Sequence, residues 1–300
     1  MQEVLKQLLI LYIFLLAGYL VGRIKKDKAS HSDILSVLLI NIFLPCKVFN
    51  TFANNFTISY FSQRYSLLIT SLILILVIVV GAYFGSKLLT KDQYERKVYQ
   101  YSFTLTNYSY LGYVLIESVF GQSFLSQFVF FAIPFIIYTY TFGYALLTGG
   151  KNFVQKLVNP LTIAIILGMV VGIFNISLPE IISKAVSSSS ACVGPLSMIL
   201  TGMTLSTFKL RELVMDGKAY IFTFLRLIVI PGIAYLICLG LKLTQVLPMV
   251  LIITAMPCGL NTVVFPKLVG KDCKTGARLA LISHIFSILT LPIWLSLIMP

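Results

Sequence analysis

Charge is scarce in this 300-residue chain: 11% of its residues are Asp, Glu, Lys or Arg, and only 10 are acidic. With 58% hydrophobic residues and a mean hydropathy of +0.94, the chain lacks the polar surface of a water-soluble globule, which leaves an integral membrane protein. Histidine is limited to His31 and His284, and the patterns H-E-x-x-H, G-x-S-x-G and the P-loop are absent. Neither an enzyme nor an ATP-driven pump is therefore expected. The five cysteines, Cys46, Cys192, Cys238, Cys258 and Cys273, show no C-x-x-C spacing and fall mostly in apolar stretches, so no metal site, disulfide framework or cofactor is expected.

What the chain has in plenty is apolar runs of a length that crosses a hydrocarbon core as helix. Ten are read, over about 4–22, 33–53, 65–86, 98–119, 124–147, 157–175, 188–207, 219–240, 245–266 and 276–298. The third, "YSLLITSLILILVIVVGAYFG", carries no charge, whereas the fourth and ninth are broken by polar residues, Gly or Pro. The fold class expected is an all-α polytopic membrane protein. The first span, preceded by Glu3 and Lys6 and followed by a basic stop at Arg23 to Lys28, reads as retained and not as a cleaved signal.

A formal net charge of +13 raises nucleic acid as a partner, but the placement of the cations answers otherwise. Alternate loops hold seventeen Lys and Arg on one side against four on the other, with Lys47 and Arg226 inside spans. Read by the positive-inside rule, both termini lie outside a cell membrane and the basic balance is topogenic. The bilayer, not nucleic acid, is the expected large partner.

Sliding the chain on itself matches unusual positions about 150 residues apart. "AGYLVGRI" lies over "LGMVVGIF", aligning Gly18 with Gly168 and Gly22 with Gly172; Pro45 lies over Pro195, and Gly121 over Gly270. These matches suggest duplication of a five-helix unit, residues 1–150 and 151–300, joined through "TGGKNFVQK". Five being odd, the second copy enters the membrane inverted, a construction common in secondary transporters. Glycines in this spacing also serve simply for close helix packing.

In hydrocarbon every backbone polar group needs an internal partner, so a broken helix survives only inside protein or beside a wet cavity. In "MPCGLN" (Met256 to Asn261) Pro257 removes an N–H, Gly259 relaxes the backbone and Asn261 offers an amide. Its repeat partner is "NYSYLG" (Asn107 to Gly112) in span four. Half-helix ends meeting at mid-membrane suit an anion, a carboxylate for example. The plainer reading is a proline kink without ligand.

Charged groups at depth are functional candidates. Lys47 is placed to meet an anionic substrate, to snorkel, or to pair with Glu117; Arg226 is read as a substrate or gating residue, or as a snorkelling one. Glu117 and His284 are the proton-coupling candidates, His284 with packing as its alternative.

"AMPCGLNTVVFPKLVGKD" followed by "ARLALISHIFSILTLPIW" resembles the last two helices of the auxin efflux carrier family, which includes bacterial permeases for malate and malonate. The family's span-four pattern is matched by Asn107, Ser109, Tyr110, Leu111 and Gly112 but departs at Val114, where Pro is usual; "NIFLPCKVFNTF" resembles the second span. The resemblance implies a five-plus-five inverted repeat, with a scaffold of spans 1, 2, 6 and 7 and a transport domain of spans 3–5 and 8–10. Broken helices four and nine would cross at the substrate, with Asn107 and Gly112 in the first crossover strand, Pro257, Gly259 and Asn261 in the second, and Pro45 and Pro195 lining the scaffold face; Tyr110 and Cys258 are further substrate-binding candidates.

The function expected is thus secondary transport of a small organic anion by alternating access, coupled to a proton or sodium, with a homodimer among the assemblies allowed. Alternatives are a sodium-coupled carrier similar to bile-acid symporters and a non-transporting ligand sensor on a carrier fold.

Overall fold

The computed structural model describes residues 2–24, 28–150, 158–267 and 269–299. Lys25, Lys26, Lys151 and Lys156 of the basic loops, and most of "TGGKNFVQK", lie outside the described residues. Helix makes up 84% of the structure, and among the described residues there is no strand.

In chain order the helices are α1 (Gln2–Ile24), α2 (Lys28–Leu38), α3 (Leu44–Asn55), α4 (Ile58–Leu89), α5 (Gln93–Thr104), α6 (Tyr113–Phe120), α7 (Gln122–Phe131), α8 (Ile133–Tyr138) and α9 (Tyr144–Thr148). There follow α10 (Pro160–Ile173), α11 (Glu180–Ser206), α12 (Leu210–Val214), α13 (Gly217–Phe224), α14 (Ile230–Gly240), α15 (Leu247–Ala255), α16 (Asn261–Lys267) and α17 (Lys274–Ser296). Among the described residues, five continuous stretches are long and apolar enough to cross a membrane: α1, Ser32–Asn55, α4, Gly217–Gly240 and α17. The pair Gln122–Phe131 and Ile133–Thr148, bent by 53°, makes a sixth.

The remaining expected spans are helical but depart from that standard for visible reasons. Spans four and nine are split, into α5 with α6 and α15 with α16. Helix α10 has 14 residues, and α11, though 27 residues long, carries Lys184 and the run Ser187 to Ser190.

Four π-helical turns, Leu39–Phe43, Tyr108–Gly112, Thr139–Gly143 and Leu225–Val229, interrupt the described helices. Two of them stand directly before a helix that has proline in its first turn, Pro45 and Pro231. Proline has no N–H to give and crowds the carbonyl four residues back, and one extra residue in the preceding turn relieves that crowding. The carbonyl left behind by Pro231 is that of Leu227, and the Trp294 indole N–H donates to it at 2.7 Å.

Glycine sets the closest helix contacts. A Cβ on Gly18 of α1 would stand 2.2 Å from the Ile199 carbonyl oxygen of α11, and one on Gly202 of α11 would stand 1.9 Å from that of Leu15. On α10, Cβ atoms at Gly168 and Gly172 would stand 2.9 and 2.4 Å from the carbonyl oxygens of Phe49 and Phe56. Hence α1 lies backbone to backbone on α11, and α10 on the span-two helix, where any side chain would force the pair apart.

At the chain's loop ends, helices start in the ordinary way: Thr57, Asp92, Asn159 and Asp216 each accept a first-turn N–H on a side-chain oxygen. One face also carries ion pairs. Lys274 meets Glu212 at 2.7 Å and Arg278 pairs with Asp216, tying α12 and α13 to α17, while Lys267 meets Asp33 at 2.6 Å, tying α16 to α2. The hydrogen bond from Lys274 and its charge hold the Glu212 carboxyl below the usual range.

Candidate functional site

The two breaks meet. After α5, Leu105 to Asn107 leave the helix; after α15, Met256 to Leu260 do the same. Thr106 and Cys258 pair as an isolated antiparallel bridge, and the Asn107 backbone N–H donates to the Pro257 carbonyl at 2.8 Å. Each break thus supplies backbone groups that the other lacks, the internal accounting that an apolar surrounding demands.

Side chains complete that accounting. The exposed carbonyls at the end of α15 are reached from two directions: Arg226 donates to Thr254 O at 2.9 Å and to Ile253 O at 3.4 Å, and the Thr106 hydroxyl donates to Ile253 O at 3.1 Å. Arg226 belongs to the π turn Leu225–Val229 and is 1% exposed, so its guanidinium neither snorkels nor faces solvent. It caps the negative end of a half-helix, where a cation is favoured. On the far side of the break, Cys258 N–H donates to the Ser283 hydroxyl of α17 at 3.0 Å.

Asn107 holds the first break together. Its backbone carbonyl accepts from Gly112 N–H at 3.0 Å and from Leu111 N–H at 3.3 Å, and the first of these bonds sets the π turn. Its side-chain nitrogen lies 2.9 Å from His284 Nε2. The other ring nitrogen, Nδ1, lies 2.7 Å from the Ala280 carbonyl, which can only accept. Nδ1 therefore carries the hydrogen, and Nε2 accepts from the Asn107 amide. Protonating Nε2 would set donor against donor.

Glycine and tyrosine contribute differently. A Cβ on Gly259 would come within 3.1 Å of Thr106 O, so glycine allows the close pass of the two breaks; one on Gly112 would meet nothing nearer than 3.6 Å. The Tyr110 carbonyl accepts from the Ser197 hydroxyl of α11 at 3.1 Å, linking the first break to the helix that holds Pro195. Several polar atoms beside the breaks are buried without a partner: the hydroxyls of Tyr101, Tyr110 and Tyr113, Arg226 Nε and Asn261 Oδ1. Tyr101 and Asn261 face each other without acceptable hydrogen-bond geometry.

The sequence-derived residues thus fall into groups. Asn107, Gly112, Pro257, Cys258, Gly259 and His284 come together at the joined breaks, Tyr110 borders them, and Asn261 opens α16. Lys47, 3% exposed, takes the pairing alternative: its ammonium sits 2.5 Å from Glu117 Oε2 of α6, two residues along α3 from buried Pro45. Val114 packs against Gly194 of α11. Sequence reasoning missed Thr106 and Asp33, and it had given Ser283 no role; a threonine beside the quoted "NYSYLG" was the one available signal for the first.

A bundle of apolar helices with two internally paired breaks defines a multi-pass membrane protein. The family model described as "Membrane transport protein" matches residues 3–156 and 145–295. The chain belongs to that family, the auxin efflux carrier and membrane transport family, and is a membrane transporter. No curated protein matches it.

Proposed function

We propose that the protein is a secondary carrier for a small organic anion, a carboxylate, bound where spans four and nine cross and moved by alternating access. In this reading ten spans form two inverted five-helix repeats. Spans 1, 2, 6 and 7 make the scaffold, and spans 3–5 and 8–10 the moving part, in a cell membrane with both termini outside. The observation that carries it is the join of the two breaks through Asn107 and Pro257. Supporting it are the repeat-related glycines, since Gly18 and Gly168 make the same kind of contact on α11 and on the span-two helix. The unpartnered polar atoms beside the breaks favour a polar ligand, because unpaired groups in an apolar interior cost free energy that a ligand would recover.

Reconstitution into liposomes tests the proposal. Uptake of at least one member of a panel of mono- and dicarboxylates that includes malate and malonate is expected, reduced tenfold or more by Asn107→Ala and Asn261→Ala. No flux and no specific binding across the panel, with both variants silent, would remove it; saturable binding without flux would point to a sensor. Imposing a sodium or a proton gradient separates the coupling alternatives.

A further inference from the structure

A second polar site lies away from the joined breaks. A cavity of about 630 Å³ opens between span two, α9, α11 and α16, within the size range of small-molecule sites. Asp33, Ser36 and Asn41 line it from span two, Tyr140 and Tyr144 from the fifth, and Lys267 from the end of α16. Lys267 Nζ sits 2.6 Å from Asp33 Oδ1 and 3.1 Å from the Ser32 hydroxyl. Val263 to Phe265, which follow Asn261 on the same helix, form part of the wall. At a rise of 1.5 Å per residue, Lys267 stands about 9 Å along α16 from Asn261.

Two contrasts single this pair out. The neighbouring ion pairs Lys274 with Glu212 and Arg278 with Asp216 join the start of α17 to the segment that leads into span eight, whereas Asp33 and Lys267 join span two to span nine, which the proposed function assigns to different domains. And where Lys47 is buried at 3% exposure, Lys267 and Asp33 are 31% and 50% exposed, so their attraction is weak and water already reaches both.

We infer that Lys267 is a capture site for the substrate's carboxylate at the mouth of this cavity, and that Asp33 is its built-in stand-in. This rests on the carboxylate reading above. Asp33 presents to the ammonium the same group that the ligand would bring, so an entering carboxylate exchanges one ion pair for another and leaves no cation unpaired. Exchange also removes one tie between α16 and α2. Tyr140, Tyr144 and Asn41 supply hydroxyl and amide groups for the rest of a polar ligand, and α16 leads from the mouth to Asn261.

The test uses the full chain in two measurements. In detergent, acylation of Lys267 by an N-hydroxysuccinimide ester is followed by peptide mass spectrometry with succinate, acetate, or sodium chloride at equal ionic strength. The carboxylates should slow acylation of Lys267 beyond the chloride control, and more strongly in Asp33→Asn. In oriented liposomes, Asp33→Asn should lower KM from the Lys267 face roughly two- to fivefold, the weight of a part-exposed ion pair. Lys267→Gln should raise KM from that face alone. Equal protection by chloride, no effect of Asp33→Asn, or KM changes identical from both faces would overturn the inference. Protection without flux keeps the capture site and sinks the carrier reading, and flux without protection does the reverse.

Discussion

Truncating the charge of Glu117 should destabilise the protein far more than truncating that of Lys47, although the two share one ion pair. Lys47 is 3% exposed and Glu117 37% exposed, with 2.5 Å between ammonium and carboxylate. Breaking a buried pair by removing one partner leaves an uncompensated charge and costs about 3–5 kcal/mol. Because water reaches the Glu117 side of this pair, Glu117→Gln should fall below that range, at roughly 2–3 kcal/mol. Lys47→Met removes the buried charge itself and leaves a carboxylate that water can solvate, so about 0–1 kcal/mol is expected. The double variant, with neither charge, should lie within about 1 kcal/mol of the wild type, which makes the coupling between the sites roughly 2 kcal/mol. Equilibrium unfolding in mixed micelles, followed through the fluorescence of the single tryptophan, measures all four corners of the cycle. Trp294 suits the purpose because its indole is held on the Leu227 carbonyl. If Lys47→Met cost as much as Glu117→Gln, or if the coupling lay within about 0.5 kcal/mol of zero, burial would not be what makes this pair matter.

Three further outcomes follow from the joined breaks. Arg226→Leu should cost about 1–3 kcal/mol by taking the side-chain donor from the Thr254 carbonyl and leaving the Ile253 carbonyl to Thr106 alone, and Arg226→Lys should recover part of it, read in the same unfolding assay. Gly276→Ala should be strongly disruptive, about 1–3 kcal/mol or more, since its Cβ would stand 2.3 Å from Thr262 O; Gly81→Ala, with open space around it in α4, should be neutral or stabilising by up to about 1 kcal/mol. His284→Leu should lower stability by about 1–3 kcal/mol because the Asn107 amide loses its acceptor. His284→Gln, whose carbonyl can accept that amide, should lower it less, and equal losses in the two would show that the hydrogen bond to Asn107 is not what His284 contributes.

Much of the fold was legible because hydrocarbon imposes one rule on every segment. Apolar runs became helices, and the residues that disobey helix chemistry, Pro257 and Gly259, marked the place where α15 ends and the chain passes close to Thr106. The glycines aligned by the repeat were legible as well, since their spacing is a packing requirement before it is anything else. The partners of the polar groups were not. Asn107 and His284 are 177 residues apart, and Asp33 and Lys267 are 234 apart, so nothing local ties them. Arg226 is harder still: its partners are backbone carbonyls, present at every residue, and what selects Ile253 and Thr254 is only that α15 stops there. A charged residue inside a span can therefore be flagged from sequence, but whether it serves a ligand or a broken helix depends on where the next helix ends.

The same consideration explains why the two breaks differ. In span nine Pro257 has no N–H to give to the Ile253 carbonyl four residues back, and the carbonyls at the end of α15 are taken by Arg226 and Thr106. In span four no proline is present, and Val114 packs on Gly194. The helix is opened instead by what surrounds it: the Asn107 N–H goes to Pro257, its side chain to His284, and its carbonyl to Gly112 through a π turn. One break turns on the missing N–H of a proline, the other on hydrogen bonds that Asn107 makes to Pro257 of the first break, to His284 of α17 and to its own Gly112.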